Sequence, residues 1–338
     1  MKRILITLLA STAIVVLAIL FGSVNISLHE IVSIIAYRVF GRALPEDITA
    51  PTVAILWNLR LPRVLLAFLA GAALSVSGAI MQSILRNPLA SSYTLGVSSG
   101  ASLGAVLTIV YGISFPLFQS LTLPLFGFVF GMGTILFVYT LARVLDERVQ
   151  NHTIILVGVV LSLFVGSIVT LLATVEETSL QRLIFWQLGS FSMRGWDAIY
   201  ILTPILFLAT FFVCLKHREL DLMTFGEESA AMAGVNVRQI KWLLLIVSSA
   251  LTGATIAFVG VIGFVDLIVP HVVRRLFGAR HRLVLPMCIL FGGAFMVLAD
   301  FCARMFIARS ELPVGVVTAL VGAPFFLYIF WSSRRRPC

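Results

Sequence analysis

LRLPRVLLAFLAGAALSVSGAIMQSILRNPLASSYTLGVSSGA, residues 59–101, is the stretch on which the architecture turns. It is apolar over a membrane-crossing length, and it is punctuated by Gly71, Gly78, Pro88 and Gly96. The punctuation returns at Gly253, Gly260, Pro270 and Gly278, each 182 positions later. A fixed offset between backbone-breaking residues predicts one helical unit built twice, as in transporters whose pathway runs between two halves. The small face Gly71, Ala72, Ser75 and Gly78 lets backbones approach closely, because helix association in lipid depends on packing rather than on expelling water. At Arg86-Asn87-Pro88-Leu89 the chain breaks. Pro88 lacks an N–H and disfavours a helical Asn87, leaving polar backbone that a membrane tolerates only against protein or a water-filled cavity.

Composition sets the class. Hydrophobic residues make up 60% of the 338, enough for roughly ten helices of about 20 residues, the length a bilayer core requires. Only 12% are charged, and these fall mostly between the apolar runs. The net charge of +9 is scattered over short loops rather than gathered on one face, so topology explains it and nucleic acid does not. Cys214, Cys288, Cys302 and Cys338 show neither metal-ligand spacing nor a disulfide framework, and read as buried or terminal thiols.

The fold class expected is an all-α polytopic membrane protein forming one transmembrane domain over 1–338. Met1-Lys2-Arg3 and the apolar run to about Phe21 fit a secretory signal or a retained first span; its length favours the span. SLHEIVSIIAYRVFG, 27–41, has helical periodicity but is too polar to cross, and is expected along the outer surface. Further spans are expected at 62–84, 93–111, 117–142, 153–174, 196–215, 241–262, 281–306 and 314–332. Residues 266–278 reach only about 20 Å as a helix, so a partial-depth helix is expected there. Counting it gives ten spans. With the N-terminus cytoplasmic, 16 Lys and Arg, Arg148 and Arg334 to Arg336 among them, fall inside and 8, including Arg309, outside. That asymmetry supports an even number of spans with both termini cytoplasmic. Five spans per half, an odd number, make the halves inverted: repeat one about 1–175, repeat two about 196–338, with a pathway at their interface.

The longest polar interruption is 216–240. Within it Glu227 to Ala233 are good helix formers and Gly234 can end the helix, so a short exposed helix is expected to act as a lever. No span carries a G-x-x-x-x-G-K-[ST] phosphate cradle, and the sequence has no Gly-Lys dipeptide. If ATP drives this protein, hydrolysis occurs on another polypeptide; the chain itself reads as non-catalytic and without cofactor. Asp266 is an acid in an apolar setting, where an unpaired buried charge costs several kcal/mol. It is expected to join a structural ion pair with Arg274, Arg275 or His271, or to line a polar pathway. His152, in a loop, could titrate near neutral pH or simply be solvated.

Seven motifs carry a resemblance: LRLPR (59–63), SGAIMQSILRNPLA (77–90), LGVSSGA (95–101), FWQLGSFSMRGW (185–196), FGEESAAMAGV (225–235), GFVDLIVPHVVRRLFGARHRLVLP (263–286) and ELPVGVVTALVGAPFF (311–326). In content and order, over nearly the whole chain, they resemble the FecCD-type permeases, membrane subunits of type II ABC importers for iron-siderophore complexes, haem and vitamin B12. The resemblance implies a ten-helix permease in a bacterial or archaeal cytoplasmic membrane. It implies three kinds of partner: a second copy of itself, two ATP-binding subunits holding ATP and Mg, and a periplasmic or lipid-anchored substrate-binding protein.

It also implies roles. Arg60, Arg63 and Arg304 match positions that face glutamates of the binding protein. Asn87 and Leu89 match one cytoplasmic gate, and Asn151, His152 and Thr153 the other, although Asn151 and His152 depart from the family's small hydroxyl residues. Gly226, Glu227, Glu228, Ala230, Ala231 and Gly234 match the helix that couples to the ATPase. Asp300 lies where the family commonly has an acid, paired with the other half or with Arg304, whereas Asp266 replaces the usual glycine. The competing class is an ion-coupled secondary transporter using Asp266 and Asp300, with Glu311 as a further carrier. A membrane-embedded enzyme would need a convergent acid, base or metal constellation that the sequence does not offer. For the substrate, ferric siderophore ranks first, corrinoid and haem next, and an oxyanion last.

Overall fold

The computed structural model describes residues 2–22, 24, 26–115, 119–147, 149–174, 177–306 and 311–334, and every regular element among them is a helix. Met1, Arg148, Arg309, Arg335, Arg336 and Cys338, which entered the charge and cysteine readings, lie outside the described residues.

The first half begins with α1 (Lys2–Leu20) and α2 (Leu28–Phe40). α2 is the expected surface helix, and its bounds follow from its sequence. Ser27 and Glu30 close a capping box, and Gly41 ends the helix at φ 66°. Ile31 and Ile34 turn inward onto Ile48, Val53 and Leu56. The next span was expected from residue 62, but the helix starts earlier. α3 (Ala50–Ala54), a π-helical turn (Ile55–Arg60) and α4 (Leu61–Ile84) run as one rod. Asn58 and Arg60 interrupt the hydropathy there, but Asn58 borders a cavity and Arg60 is buried on carbonyls at the end of α1, and the helix runs through.

α5 (Val97–Ile109) is shorter than the 93–111 expected. Residues 90–96 form turns instead: Thr94 Oγ1 donates to Ser91 O at 2.7 Å, and Gly96 at φ 93° starts the helix. Then come α6 (Gln119–Leu145), α7 (Asn151–Thr174) and α8 (Glu177–Gln187), the last not anticipated.

The second half repeats this series in element lengths. α9 (Asp197–Leu215) has 19 residues like α1, α12 (Val237–Val259) has 23 against 24 in α4, and α13 (Val265–Phe277) has 13 like α5. α14 (His281–Met305) and α15 (Val314–Arg334) stand where α6 and α7 stood. The pieces between the first two members differ: α2 and α3 in one half, α10 (His217–Thr224) and α11 (Glu227–Met232) in the other. Packing exchanges partners accordingly. α4 lies on α13 and α14, while α12 lies on α5 and α6.

The 182-residue echo is not the register of this correspondence. α4 and α12 start at 61 and 237, 176 apart, and α5 and α13 at 97 and 265, 168 apart. Gly78 is inside α4 whereas Gly260 caps α12, and Pro88 is in a turn whereas Pro270 is inside α13. Loops of unequal length broke any constant offset.

Among the described residues seven helical runs are long and apolar enough to cross a membrane: α1, the α3–α4 rod, α6, α7, α9, α12 and α14. α5, α13 and the apolar part of α15, Val314–Tyr328, are shorter. The rod and α12 form the buried centre, while α1 and α7 are mostly exposed to the surroundings. The small face works as expected. A Cβ on Gly71 would strike the carbonyl oxygen of Gly292, and one on Gly78 would strike that of Asp266. Ser75 Oγ donates to Cys288 O on α14 at 2.6 Å. Cys288 is buried; Cys214 and Cys302 are only half-buried.

Candidate functional site

Arg63, in the first turn of α4, and Arg86, just past its end, are about 35 Å apart at 1.5 Å per residue, a little more than a bilayer's hydrocarbon core of about 30 Å. Polar groups gather at both ends.

At the arginine end a cavity of about 610 Å³ is lined by Asn58, Arg60, Arg63, Arg194, Arg304 and Glu311, among others. Arg63 is at its centre. Its Nε and Nη2 meet Asp300 at 2.9–3.1 Å, the bidentate fork a guanidinium offers a carboxylate. Its Nη1 donates to both oxygens of Glu311 at 2.8 and 2.9 Å and to Ser192 Oγ at 3.1 Å. Ser192 in turn donates to Glu311 at 2.5 Å. Asp300 is 1% exposed, and Arg304 Nε approaches its Oδ2 at 3.2 Å without hydrogen-bond alignment. Asp300 therefore has both partners considered for it, Arg63 from the other half and Arg304. Glu311 is held below the ordinary glutamate range: partial burial pushes it up, and hydrogen bonds from Arg63 and Ser192 outweigh that.

The three arginines read as a row facing outward are thus turned into the protein. Arg60 is buried and donates to Ile19 O, Leu20 O and Val24 O, tying the end of α1 to the π turn. Arginine's five donors make this possible where a lysine would leave carbonyls unserved. Arg304 Nη2 reaches Ala18 O at 3.4 Å. Of the partners here, Ser192 lies inside the 185–196 motif without a role of its own, and Glu311 reads in sequence as an ion carrier rather than as a partner of Arg63.

At the other end, the loop end, a cavity of about 750 Å³ brings together Arg86, Asn87, Asn151, His152, Glu227 and Glu228. Arg86 adopts φ 49°, and Asn87 Oδ1 accepts from Leu89 N at 2.9 Å, so the turn at Pro88 is built by Asn87's own side chain. Leu89 and Thr153 do not join the cavity lining. Leu89 is 46% exposed, and Thr153 donates to Asp146 at 3.1 Å.

Gly226 at φ 130° leads into α11, and Gly234 at φ 86° follows it, matching the expected lever. Ala230 is buried, Glu228 and Ala231 are exposed, and Phe225 and Met232 stand out at 76% and 83% exposure. Lys241, buried on α12, donates to Glu227 at 2.8 Å and to Val149 O at 2.7 Å, fastening α11 to the turn before α7. Lys241 was counted among loop charges; its burial shows it as a clamp instead. α10, also unanticipated, is fixed by Leu220 and Met223, both buried.

Among the described residues Asp266 makes no ion pair, so the first of the two arrangements expected for it is not the one found. Arg274 is directed to Gln82, Ala79 O and Ser83 on α4. The Asp266 carboxylate, 2% exposed, accepts from the Ser91 hydroxyl and from the N–H groups of Asp266 and Leu267. It sits in the first turn of α13, where unpaired N–H groups and the helix dipole favour a negative charge. Pro270 is accommodated inside α13, so helical spacing does carry Arg274 two turns on, away from the carboxylate. Among the described residues no cluster of three or more His, Cys, Asp or Glu is placed to hold a metal.

A model of the FecCD transport family matches residues 8–332. Over 321 residues the chain is 41% identical to the uncharacterized ABC transporter permease protein YvrB of Bacillus subtilis (strain 168), covering 95% of this chain and 91% of the relative. It is 38% identical over 281 residues to the hemin transport system permease protein HmuU of Yersinia pestis, covering 82% and 84%. In structure it is similar to an inward-facing conformation of an ABC transporter assigned to the metal-chelate type. The TM-score is 0.85 at 29% identity, over 98% of this chain and 99% of the other.

Proposed function

The chain belongs to the FecCD transport family and is a permease subunit of the ABC importer type, and from that premise we propose that two copies form the translocation pathway for a bulky metal chelate. Ferric siderophore is the first-ranked cargo, then corrinoid or haem. The arginine end faces outward and receives cargo from a substrate-binding protein; the loop end faces the cytoplasm, with both termini, and contacts two ATP-binding subunits that hold the ATP and Mg. The membrane is the cytoplasmic membrane of a bacterium or archaeon. The two halves are an inverted pair, which α2 and α3 on one side and α10 and α11 on the other support.

The observation that carries this reading is the separation of two polar sites by one buried, apolar rod, with the acids between them already bound. Asp300 is committed to arginine, and Asp266 to a hydroxyl and backbone N–H groups. Neither is poised as an ion carrier, which counts against a secondary transporter. On the outer face, docking falls to Arg63 and Arg304, with incoming carboxylates exchanging for Glu311, the half-exposed partner. Arg60 is spent on holding α1. On the inner face, Asn87, Asn151 and His152 form the gate, with Leu89 and Thr153 flanking it, and α11 is the coupling helix with Phe225 and Met232 as its apolar contacts.

Reconstitution in proteoliposomes with and without the ATPase and binding protein tests the reading. Uptake of the binding protein's ligand, identified by titration, is expected only with both partners and ATP. Uptake that runs on a proton gradient and ignores ATP would overturn it.

A further inference from the structure

One chain of hydrogen bonds joins the coupling loop to three helices. Asp221, on α10, accepts from the backbone N–H of His281 at 2.9 Å and lies 2.6 Å from its Nδ1. His281 opens α14 and is fully buried. Its Nε2 is 2.7 Å from Ser83 Oγ, in the last turn of α4. Ser83 accepts from Arg274 Nη2 at 3.1 Å, and both Ser83 and that nitrogen reach Ala79 O, at 2.8 and 3.0 Å. Arg274 Nη1 continues to Gln82 Oε1, and Gln82 Nε2 donates to the carbonyls of Asp266 and Leu267 at 3.2 Å.

Counting protons fixes the direction of most of these bonds. An ionised Asp221 has no proton, so Nδ1 must donate. Partial burial raises the Asp221 carboxyl, but hydrogen bonds from the His281 ring and backbone outweigh that and hold it below the usual aspartate range. At Nε2 two arrangements keep every group satisfied. Either an imidazolium donates to Ser83, whose proton goes to Ala79 O, or a neutral ring accepts the Ser83 proton while Arg274 alone serves Ala79 O. In both, the ring is engaged at its two ends. It is a flat, stiff strut between a loop and a core helix.

The strut's position gives it a task. Ser83 is three residues before Arg86, so it sits on the turn that leads into Asn87-Pro88-Leu89. Arg274 and Gln82 extend the chain to the start of α13. α10 packs on α4 and α14, and α11 follows it directly, so a displaced α11 pulls on α10 and Asp221. Moving Asp221 either drags the strut or breaks buried polar contacts, which interiors resist.

We propose that His281 is a positioning residue that transmits displacement of the α10–α11 loop to the gate turn at 86–89 and to α13, through Asp221, Ser83 and Arg274. The proposal rests on the reading of that loop as the ATPase contact. Its test uses the full complex of permease, ATPase and binding protein in proteoliposomes, with a bimane fluorophore on Leu89→Cys, an exposed gate position, and nucleotide added with vanadate. In the otherwise native complex the emission shifts on nucleotide binding. His281→Ala is expected to lose at least four-fifths of that shift while nucleotide hydrolysis stays within twofold. Asp221→Asn, which keeps an acceptor, is expected to retain at least half of it, and Asp221→Ala to behave like His281→Ala. A full shift in His281→Ala or in Asp221→Ala overturns the proposal, the latter deciding if the His281 variant does not assemble. Hydrolysis lost in step with the shift also overturns it, since that is what a merely structural histidine would do. No shift in the native complex removes the ATPase reading itself.

Discussion

The two ends of α4 both bury charge, yet they are wired by different chemistry. At the arginine end one guanidinium satisfies two carboxylates, Asp300 and Glu311, and the cluster holds four formal charges if Arg304 is included. At the loop end Asp221, His281, Ser83, Arg274 and Gln82 form a series of single hydrogen bonds, each residue passing contact to the next. A hub fails when its centre or its buried counter-charge is removed but tolerates the loss of an exposed spoke. A series fails at any member. On the proposed reading, the cluster at the arginine end holds still while exchanging one partner, and the series at the loop end carries displacement.

The largest effect that would break this contrast is at Asp300. Asp300→Ala leaves Arg63 and Arg304 facing each other without their buried counter-charge, a loss of about 3–5 kcal/mol for breaking such a pair. Loss of monodisperse protein on heated size-exclusion chromatography is the expected result; a melting temperature within 2 °C of the parent, on the order of 1 kcal/mol or less for a chain this size, would mean Asp300 is not the counter-charge that holds Arg63. Smaller is Ser83→Ala, which strands His281 Nε2 in the core at about 1–3 kcal/mol. It is expected to match His281→Ala in lost coupling, because a series does not distinguish which link is cut.

Glu311→Gln is the smallest. Glu311 is half exposed, so screening leaves its pair worth below about 1 kcal/mol, and stability barely moves. Binding-protein affinity, measured by titration calorimetry, is expected to rise severalfold as Arg63 is released, with a steeper salt dependence. An unchanged or weaker affinity would make Glu311 part of the docking surface rather than its competitor. Acid gives the same contrast without mutation. Both Glu311 and Asp221 have lowered carboxyl pKa values, so the stability each contributes is present above the ordinary range near 4 and is lost as pH falls through the folded-state values. Thermal melts from pH 7 to pH 3 should fall for the parent and fall less for Asp221→Asn.

Much of the bundle was legible in the sequence because length and apolarity alone define a membrane helix. The surface helix at 28–40, the 13-residue α13 and the lever at 227–232 were legible for the same local reasons, capping residues and run length. The misreadings share a different cause. α10 is short and polar and exists because Leu220 and Met223 find a core, which no local pattern announces. Arg60, Lys241 and Asp266 were placed by charge, and each proved to be occupied with backbone groups contributed by residues near or far in sequence. The regularity at 182 residues misled because matching glycines and prolines serve unlike roles once loops differ in length.

The π turn at Ile55–Arg60 has one more consequence, for how this fold varies. Its wider i to i+5 pattern absorbs a residue that an α-helix would not hold. Deleting one residue there would restore a regular α-helix without breaking the rod and would leave the segments before it near their present phase, whereas the same deletion inside α4 would swing them by about 100°. With the π turn as the site of the loss, α2 and its apolar patch would keep roughly their direction, and Arg63 and the rest of α4 their places. The π turn is thus the point where the rod tolerates a one-residue change in length with both of its ends still in register.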